Sequence, residues 1–213
     1  MSLFRLDASI RGTASRTGAL ADLVEQQWGP DSPVVYRHLG REPLPSTAWA
    51  AAVAAQHMPA EQHTAEHREA SALAATLVDE LVAADALIIA APLYNYGVSE
   101  HLKTWVDLVV TDPRMAAGTE PLLAGKPAVL LTARGGSYAE GTPREGWDHA
   151  TGWMRQIFGD VWQLDLTVIE QEMTMVGVNP ALERFKEAAE RVRHQAEAQA
   201  VAAGQALGTR RAA

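Results

Sequence analysis

Strand-length apolar runs alternate with longer segments of helical periodicity along this chain. Leu3–Asp7, Val34–His38, Leu87–Ala90, Val129–Thr132 and Leu164–Ile169 read as strands. In "ALADLVEQQW", Leu20, Leu23, Val24 and Trp28 share one face of a helix, which Gly29-Pro30 ends. The alanine-rich stretch from Thr47 to about Ala84, broken at Pro59, predicts two helices, the second running to Val82. Ser99 is a good cap for a helix reaching Val110, Thr151–Phe158 predicts another, and Pro180 opens a long terminal helix. Strands interleaved with helices predict an α/β fold, a doubly wound five-stranded parallel sheet with a helical insertion between strands 2 and 3, for which we take the order 2-1-3-4-5, one of the two common doubly wound orders. We see no internal repeat or splitting linker; residues 1–204 read as one domain and 205–213, within "GQALGTRRAA", as a frayed tail.

In such a sheet ligands bind where the strand order reverses, at the carboxyl ends of strands 1, 3 and 4. Those ends are "ASIRGTASRTG", "APLYNYG" and "ARGGSYAEG", the most unusual segments of the chain. The first offers Ser9, Thr13, Ser15 and Thr17 ahead of a helix, with Arg11 and Arg16 adding charge. Hydroxyls, free N–H groups and a helix's positive end suit a phosphate; helix capping alone is the competing explanation. In the second, Pro92, Leu93, Tyr94, Asn95 and Tyr96 can bracket a planar ring and pair with its polar edge, or fold back onto the core as a turn. In the third, Gly135 and Gly136 between Arg134 and Tyr138 allow a flat ligand to approach the backbone. Together they describe a phosphate joined to a flat heterocycle, a mononucleotide of which FMN fits best. A flavin also explains why no nucleophile or acid–base dyad stands out, so no catalytic side chain is assigned.

Charge and composition narrow the field further. A net charge of −8 opposes adsorption to nucleic acid, and the chain has no local basic stripe. The absence of cysteine removes disulfides and thiolate chemistry, and it fits a cytoplasmic setting. The start, "MSLFRLDASIRG", has too short an apolar stretch for a signal peptide, and no segment approaches the roughly 20 residues a membrane helix needs.

The residues carry a resemblance. "S9-I10" with "S15-R16-T17", "APLYNYGVSEHLKTWVDLV" at 91 to 109 and "LLTARGG" at 130 to 136 resemble the flavodoxin-like, FMN-dependent NAD(P)H azoreductases and quinone reductases, over Leu3 to about Gly204. The resemblance implies a homodimer with one FMN per subunit, its phosphate at Ser9, Ser15 and Thr17 beside Arg16. It implies a ring against Pro92, Leu93, Tyr94, Asn95 and Tyr96, with Thr132, Arg134, Gly135, Gly136 and Tyr138 on the other side. It also implies hydride delivery from NADH or NADPH and ping-pong reduction of a quinone or azo compound, with no nucleic acid or membrane partner. Two departures stand out. The segment after Val110, "TDPRMAAGTEPLLAG", lacks the family's aromatic cover, and Arg16 stands where a neutral polar residue is usual. Alternatives in other classes are a flavodoxin-like electron carrier, which the 47 to 84 insertion argues against, and a flavodoxin-like serine hydrolase.

Other features carry less. His63 and His67, four apart, and His57 read as a solvated helix face rather than a metal site. Asp148-His149 lacks the Gly-Asp-Ser turn and D-x-x-H pattern of the hydrolases. Trp105 and Leu108, with Leu102 and Val109, suit either core or a subunit contact, and Trp147, Trp153 and Trp162 either core or substrate pocket. In the terminal helix Phe185 and Val192 are the expected buried residues.

Overall fold

Five of the apolar runs pair side by side and in parallel. The computed structural model describes residues 1–29, 32–116 and 118–212. In chain order its elements are β1 (Leu3–Asp7), α1 (Arg16–Trp28), β2 (Val34–His38), α2 (Ala48–Gln56), α3 (Ala65–Ala83) and β3 (Ala86–Ala90). There follow β4 (Leu93–Tyr94), β5 (Gly97–Val98), α4 (Glu100–Val109), β6 (Pro127–Ala133), α5 (Thr151–Arg155), β7 (Asp165–Gln171) and α6 (Lys186–Ala212). Among the described residues the five-stranded sheet has the order β2-β1-β3-β6-β7, which is the expected 2-1-3-4-5 for its principal strands.

Central strands of a parallel sheet are covered on both faces, which is why β1 and β3 are buried along their whole length. Side chains alternate between two cores. Leu87 and Ile89 of β3 join Leu77, Leu81, Trp105 and Phe158 on the side of α2 to α5. Ala86, Ile88 and Ala90 join Leu20, Val24 and Trp28 on the side of α1 and α6. Trp105 is fully buried in the first core, 6.4 Å from the Phe4 ring and 5.6 Å from Trp162, so it packs inside the chain. Leu102, Leu108 and Val109 are buried there with it.

Several elements differ from expectation. Where a frayed tail was expected, α6 extends through residues 205–212, on a helix that packs against α1. A Cβ on Gly204 would stand 2.5 Å from the Val24 carbonyl oxygen, so only glycine allows the two helices this close. Leu207 is buried, and Arg210 Nη1 lies 2.6 Å from Asp165 Oδ2; Ala213 lies outside the described residues. Phe185 is 37% exposed, because Pro180–Phe185 winds as a separate 3-10 turn ahead of α6. After α5 the chain continues as a wider turn over Gln156–Val161, where Trp162 N donates to Ile157 O at 2.9 Å and turns Phe158 and Trp162 inward. Helix α1 ends at Trp28 with Gly29 at φ 119°; Pro30 lies outside the described residues. His63 lies just ahead of α3, its ring edge-on to that of His67 with centroids 6.0 Å apart. Its Nε2 sits 3.0 Å from Ala55 O, while His67 Nδ1 accepts from Thr64 N at 3.3 Å in a reciprocal cap.

The glycine contact makes a prediction. Gly204→Ala should lower the unfolding free energy by about 1–3 kcal/mol through overpacking against Val24. The urea midpoint would fall at constant m-value, and an unmoved midpoint would show that the helices can separate freely.

Candidate functional site

The strands that carry the three loops end in step. Ala8 N donates to Ala90 O at 2.9 Å, Ala91 N to Leu131 O at 2.8 Å, and Arg134 N to Gln171 O at 3.0 Å, each just beyond its strand. The loops after β1, β3 and β6 therefore open into one cavity of about 920 Å³, a size that suits a small-molecule ligand.

On the β1 side, Ser9, Ser15 and Thr17 are buried and line the cavity with exposed Arg16. Ser15 Oγ accepts from Gly18 N at 3.0 Å, capping α1, and lies 3.1 Å from Thr17 Oγ1. Capping does not exhaust the loop, because the N–H groups of Arg16 and Thr17 make no hydrogen bond within the chain. Two free N–H groups, three hydroxyls and a helix dipole form a ready anion seat. Beneath it lies the carboxylate of Asp7, which would repel an anion if bare. Arg5, 7% exposed, holds it at 2.8 Å and reaches Asp22 and Glu25, each at 2.7 Å. Burial lowers the Arg5 pKa, but those carboxylates outweigh it and hold the guanidinium firmly charged. Gly40 is a further support: a Cβ there would sit 2.1 Å from Ser9 O, so this close approach demands glycine.

After β3 the chain makes a hairpin, β4 to β5, instead of an open loop. Asn95 at φ 48° and Tyr96 at φ 68° occupy its two central positions, both left-handed as a tight type I′ turn requires. Tyrosine is a poor choice for that conformation, which costs about 1–3 kcal/mol. His149 N helps to hold it by donating to Tyr96 O at 3.0 Å. The two tyrosines then do different things. Tyr94 is a strut: its hydroxyl lies 3.1 Å from Ser9 Oγ and accepts from Ile10 N at 3.2 Å, locking the hairpin to the β1 loop. Tyr96 presents its ring at the cavity, 6.0 Å from Tyr138 and 5.3 Å from Trp147. Pro92, Leu93 and Asn95 line the same wall.

On the β6 side, Gly135, Gly136 and Tyr138 line the cavity, whereas Arg134 and Thr132 do not. Thr132 is buried within β6, its hydroxyl without a hydrogen-bond partner. The Arg134 guanidinium is held by three carboxylates, Asp148 at 2.5 Å, Glu170 at 2.7 Å and Glu172 at 2.9 Å, so each of its nitrogens faces one. Glu172 also accepts from Ser137 Oγ at 2.6 Å and Tyr138 N at 3.0 Å, which sets the loop's shape. Burial pushes the Glu172 carboxyl up, but those donors and Arg134 outweigh it and hold it below its ordinary value. Asp148 is likewise held low, burial being outweighed by bonds from Thr151 and Ala150 and by Arg134. Asp148 thus anchors Arg134 and the start of α5, and forms no dyad with His149.

The wall beyond β7 has no counterpart in the sequence reading. Met173 N, Thr174 N and Met175 N donate to Gly136, Arg134 and Gly135 carbonyls, each at 3.2 Å, folding this segment over the β6 loop. Met173, Met175, Leu182 and Phe185 line the cavity, as Arg144 does from the loop after β6. The signal was present in "EQEMTMVGVNP", a Met- and Gly-bearing stretch at another strand's carboxyl end. No described residue of segment 111–125 lines the cavity, whose aromatic lining is Tyr94, Tyr96, Tyr138 and Phe185, with Trp147 packed edge-on against Tyr96 from outside. Trp162 is core, and Trp153 packs partly buried against it.

Comparison with known proteins agrees with this architecture. A family model described as a flavodoxin-like fold matches residues 1–196. An FMN-dependent NADH:quinone oxidoreductase of Frankia alni is 37% identical over 197 residues, covering 90% of this chain and 93% of that protein. A protein of the same name from Streptomyces avermitilis is 36% identical over 216 residues, covering 100% of this chain and 99% of its own. The crystal structure of an azoreductase from Bacillus anthracis superposes with a TM-score of 0.76 at 20% identity, covering 96% of this chain and 99% of that one, a likeness of fold.

The carboxylates around Arg134 predict a pH dependence. Folding holds Glu172 and Asp148 below their ordinary values, so their stabilisation is complete above the usual carboxylate range and fades as pH falls through it. Between about pH 5 and pH 3 the urea midpoint of the protein should fall more steeply than that of Glu172→Gln, which has one such group fewer. Parallel curves would show that Glu172 adds nothing.

Proposed function

We propose, from the premise that this chain belongs to the flavodoxin-like family matched over residues 1–196, that it is an FMN-dependent NADH:quinone oxidoreductase. One observation carries the site assignment: an anion seat and an aromatic hairpin open into one cavity and are fastened together by the Tyr94 hydroxyl. The residues fit the cofactor. Ser9, Ser15, Thr17 and the free N–H groups of Arg16 and Thr17 hold the phosphate, with Arg16 supplying charge. Pro92, Leu93, Tyr94, Asn95 and Tyr96 bracket the ring on one side, and the Gly135–Gly136 backbone and Tyr138 close on the other. Arg134 acts here as a positioning residue, shaping the β6 loop through Glu172.

When bound, FMN supplies two-electron redox chemistry between a reduced nicotinamide and a quinone or azo acceptor. The protein's part is to orient flat partners, one after the other, over the same face and to keep bulk water from it. Phe185, Met173 and Met175 provide an adaptable apolar wall for that purpose. In this reading the chain works in the cytoplasm as a homodimer. Trp49 on α2 and Val110 beyond α4, apolar and exposed on neighbouring helices, support a subunit contact. No helix of the described residues is long and apolar enough to cross a membrane.

Purified protein should take up FMN and oxidise NADH with a quinone, giving parallel double-reciprocal lines. A protein that stays colourless after reconstitution would defeat the reading, and flavin uptake without turnover would favour a carrier. Ser15→Asp keeps a competent helix cap but sets like charge against the phosphate. It should weaken FMN binding about tenfold or more, seen as flavin lost on dialysis; unchanged occupancy would overturn the phosphate assignment.

A further inference from the structure

The floor of the anion seat is itself rich in negative charge. One guanidinium, that of Arg5, faces the carboxylates of Asp7, Asp22 and Glu25, all within 2.8 Å, one positive charge against three negative. A phosphate monoester brings about one and a half to two more negative charges at neutral pH. Hydroxyls and free N–H groups offer only partial charge, so cations around the seat decide how firmly such a group is held. Arg11 and Arg16 line the cavity and are exposed, and neither guanidinium makes a hydrogen bond or ion pair among the described residues.

A third arginine reaches the same loop from β2. Leu39 N donates to Asp7 O at 2.8 Å, so the chain leaving β2 runs beside the chain leaving β1. Gly40 then presses on that loop, where a Cβ would sit 2.1 Å from Ser9 O and 3.1 Å from Ile10 Cα. The next turn is tied to His38, which is buried. Arg41 N donates to its carbonyl at 3.1 Å and to its Nδ1 at 3.2 Å, and Glu42 N to the same carbonyl at 2.9 Å. From this fixed point the Arg41 side chain returns to the phosphate loop, with Nη2 3.8 Å from where a Cβ on Gly12 would stand. Burial and Asp7 push the Tyr36 phenol up to about 12 against the charges of Arg5 and Arg41, which sets Arg41 within the field of the same floor. Elsewhere such a guanidinium finds a carboxylate, as Arg37 finds Glu80 and Arg114 finds Asp112. Arg41 is exposed and makes no side-chain hydrogen bond or ion pair among the described residues. It does not line the cavity, so it acts on a seated anion through its charge.

We propose that Arg41 is a positioning residue for the flavin phosphate, a cation that the β2 loop adds to the seat and that makes the site select the phosphorylated flavin over the bare one. The inference rests on the flavin-dependent reading above. The loop between Arg41 and the cavity keeps this attraction modest and sensitive to salt. The phosphates of a nicotinamide donor would feel the same charge, so the experiment separates the two sources.

The full chain, freed of flavin, is titrated with FMN and with riboflavin, which lacks the phosphate, and binding is read from the quenching of flavin fluorescence. The parent protein is compared with Arg41→Gln and Arg41→Lys at ionic strengths of about 0.01 M and about 1 M, where charges are screened over about 30 Å and about 3 Å. In Arg41→Gln the dissociation constant for FMN should rise about fivefold at the low ionic strength, while that for riboflavin stays unchanged. Arg41→Lys should keep the parent's affinity, and the high ionic strength should erase the difference. An equal loss for both flavins would mean that the side chain only shapes its loop, and it would overturn the proposal. An FMN affinity unchanged in Arg41→Gln, or a difference that salt leaves intact, would do the same. The second arm is kcat/KM for NADH with flavin-saturated enzyme: a loss there with FMN affinity intact would assign Arg41 to the donor's phosphates and overturn its role at the flavin. A parent protein that binds neither FMN nor riboflavin would defeat the flavin reading itself, a result distinct from any difference between parent and variant.

Discussion

Everything about this cleft depends on parallel strands that end in the same row. A parallel ladder offers its backbone groups at even spacing, so one further bond beyond each strand brings Ala8, Ala91 and Arg134 out side by side. Three loops distant in sequence then share one space. The constraint also explains the burial pattern: β1 and β3 must be covered on both faces, and α1 must begin where β1 stops, aiming its free N–H groups into the cleft.

Ionic clusters hold the floor and the rim. Under the anion seat, Arg5 neutralises Asp7 so that a second negative charge can approach. At the rim, Arg134 gathers Asp148, Glu170 and Glu172 and thereby joins β6, α5 and the segment beyond β7. Breaking a buried pair of this kind strands a charge, which is costly, so each cluster gives its loop a defined shape. Arginines ringed by carboxylates contribute architecture, whereas the exposed Arg144 and Arg184 make no ion pair among the described residues. The distinction lies in what surrounds each guanidinium.

Much of this was legible in the residues. The five strands followed from hydrophobic period, and about half of the cavity-lining residues from the unusual composition of three segments at strand ends. Arg134 and Thr132 were not, because a residue's place in a motif says nothing about which way its side chain turns. The wall built by Met173, Met175 and Phe185 was missed for a related reason: it depends on a segment folding back onto the β6 loop through backbone bonds, which carry no residue signature. The packing role of Gly204 was not legible, since the closeness of α1 is invisible from α6 alone.

By itself the sequence determined the parallel sheet, the position of its switch point and the anion-favouring chemistry after β1, because these depend on local period, on helix starts and on residue type. Tertiary structure alone decided the partners. It made Tyr94 a strut to Ser9 and Tyr96 a ring at the cavity wall, although the two stand only one residue apart. It consumed Arg134 and spared Arg144. Such outcomes are set by distances between groups far apart in the chain, and only the packed fold brings those groups within reach of each other.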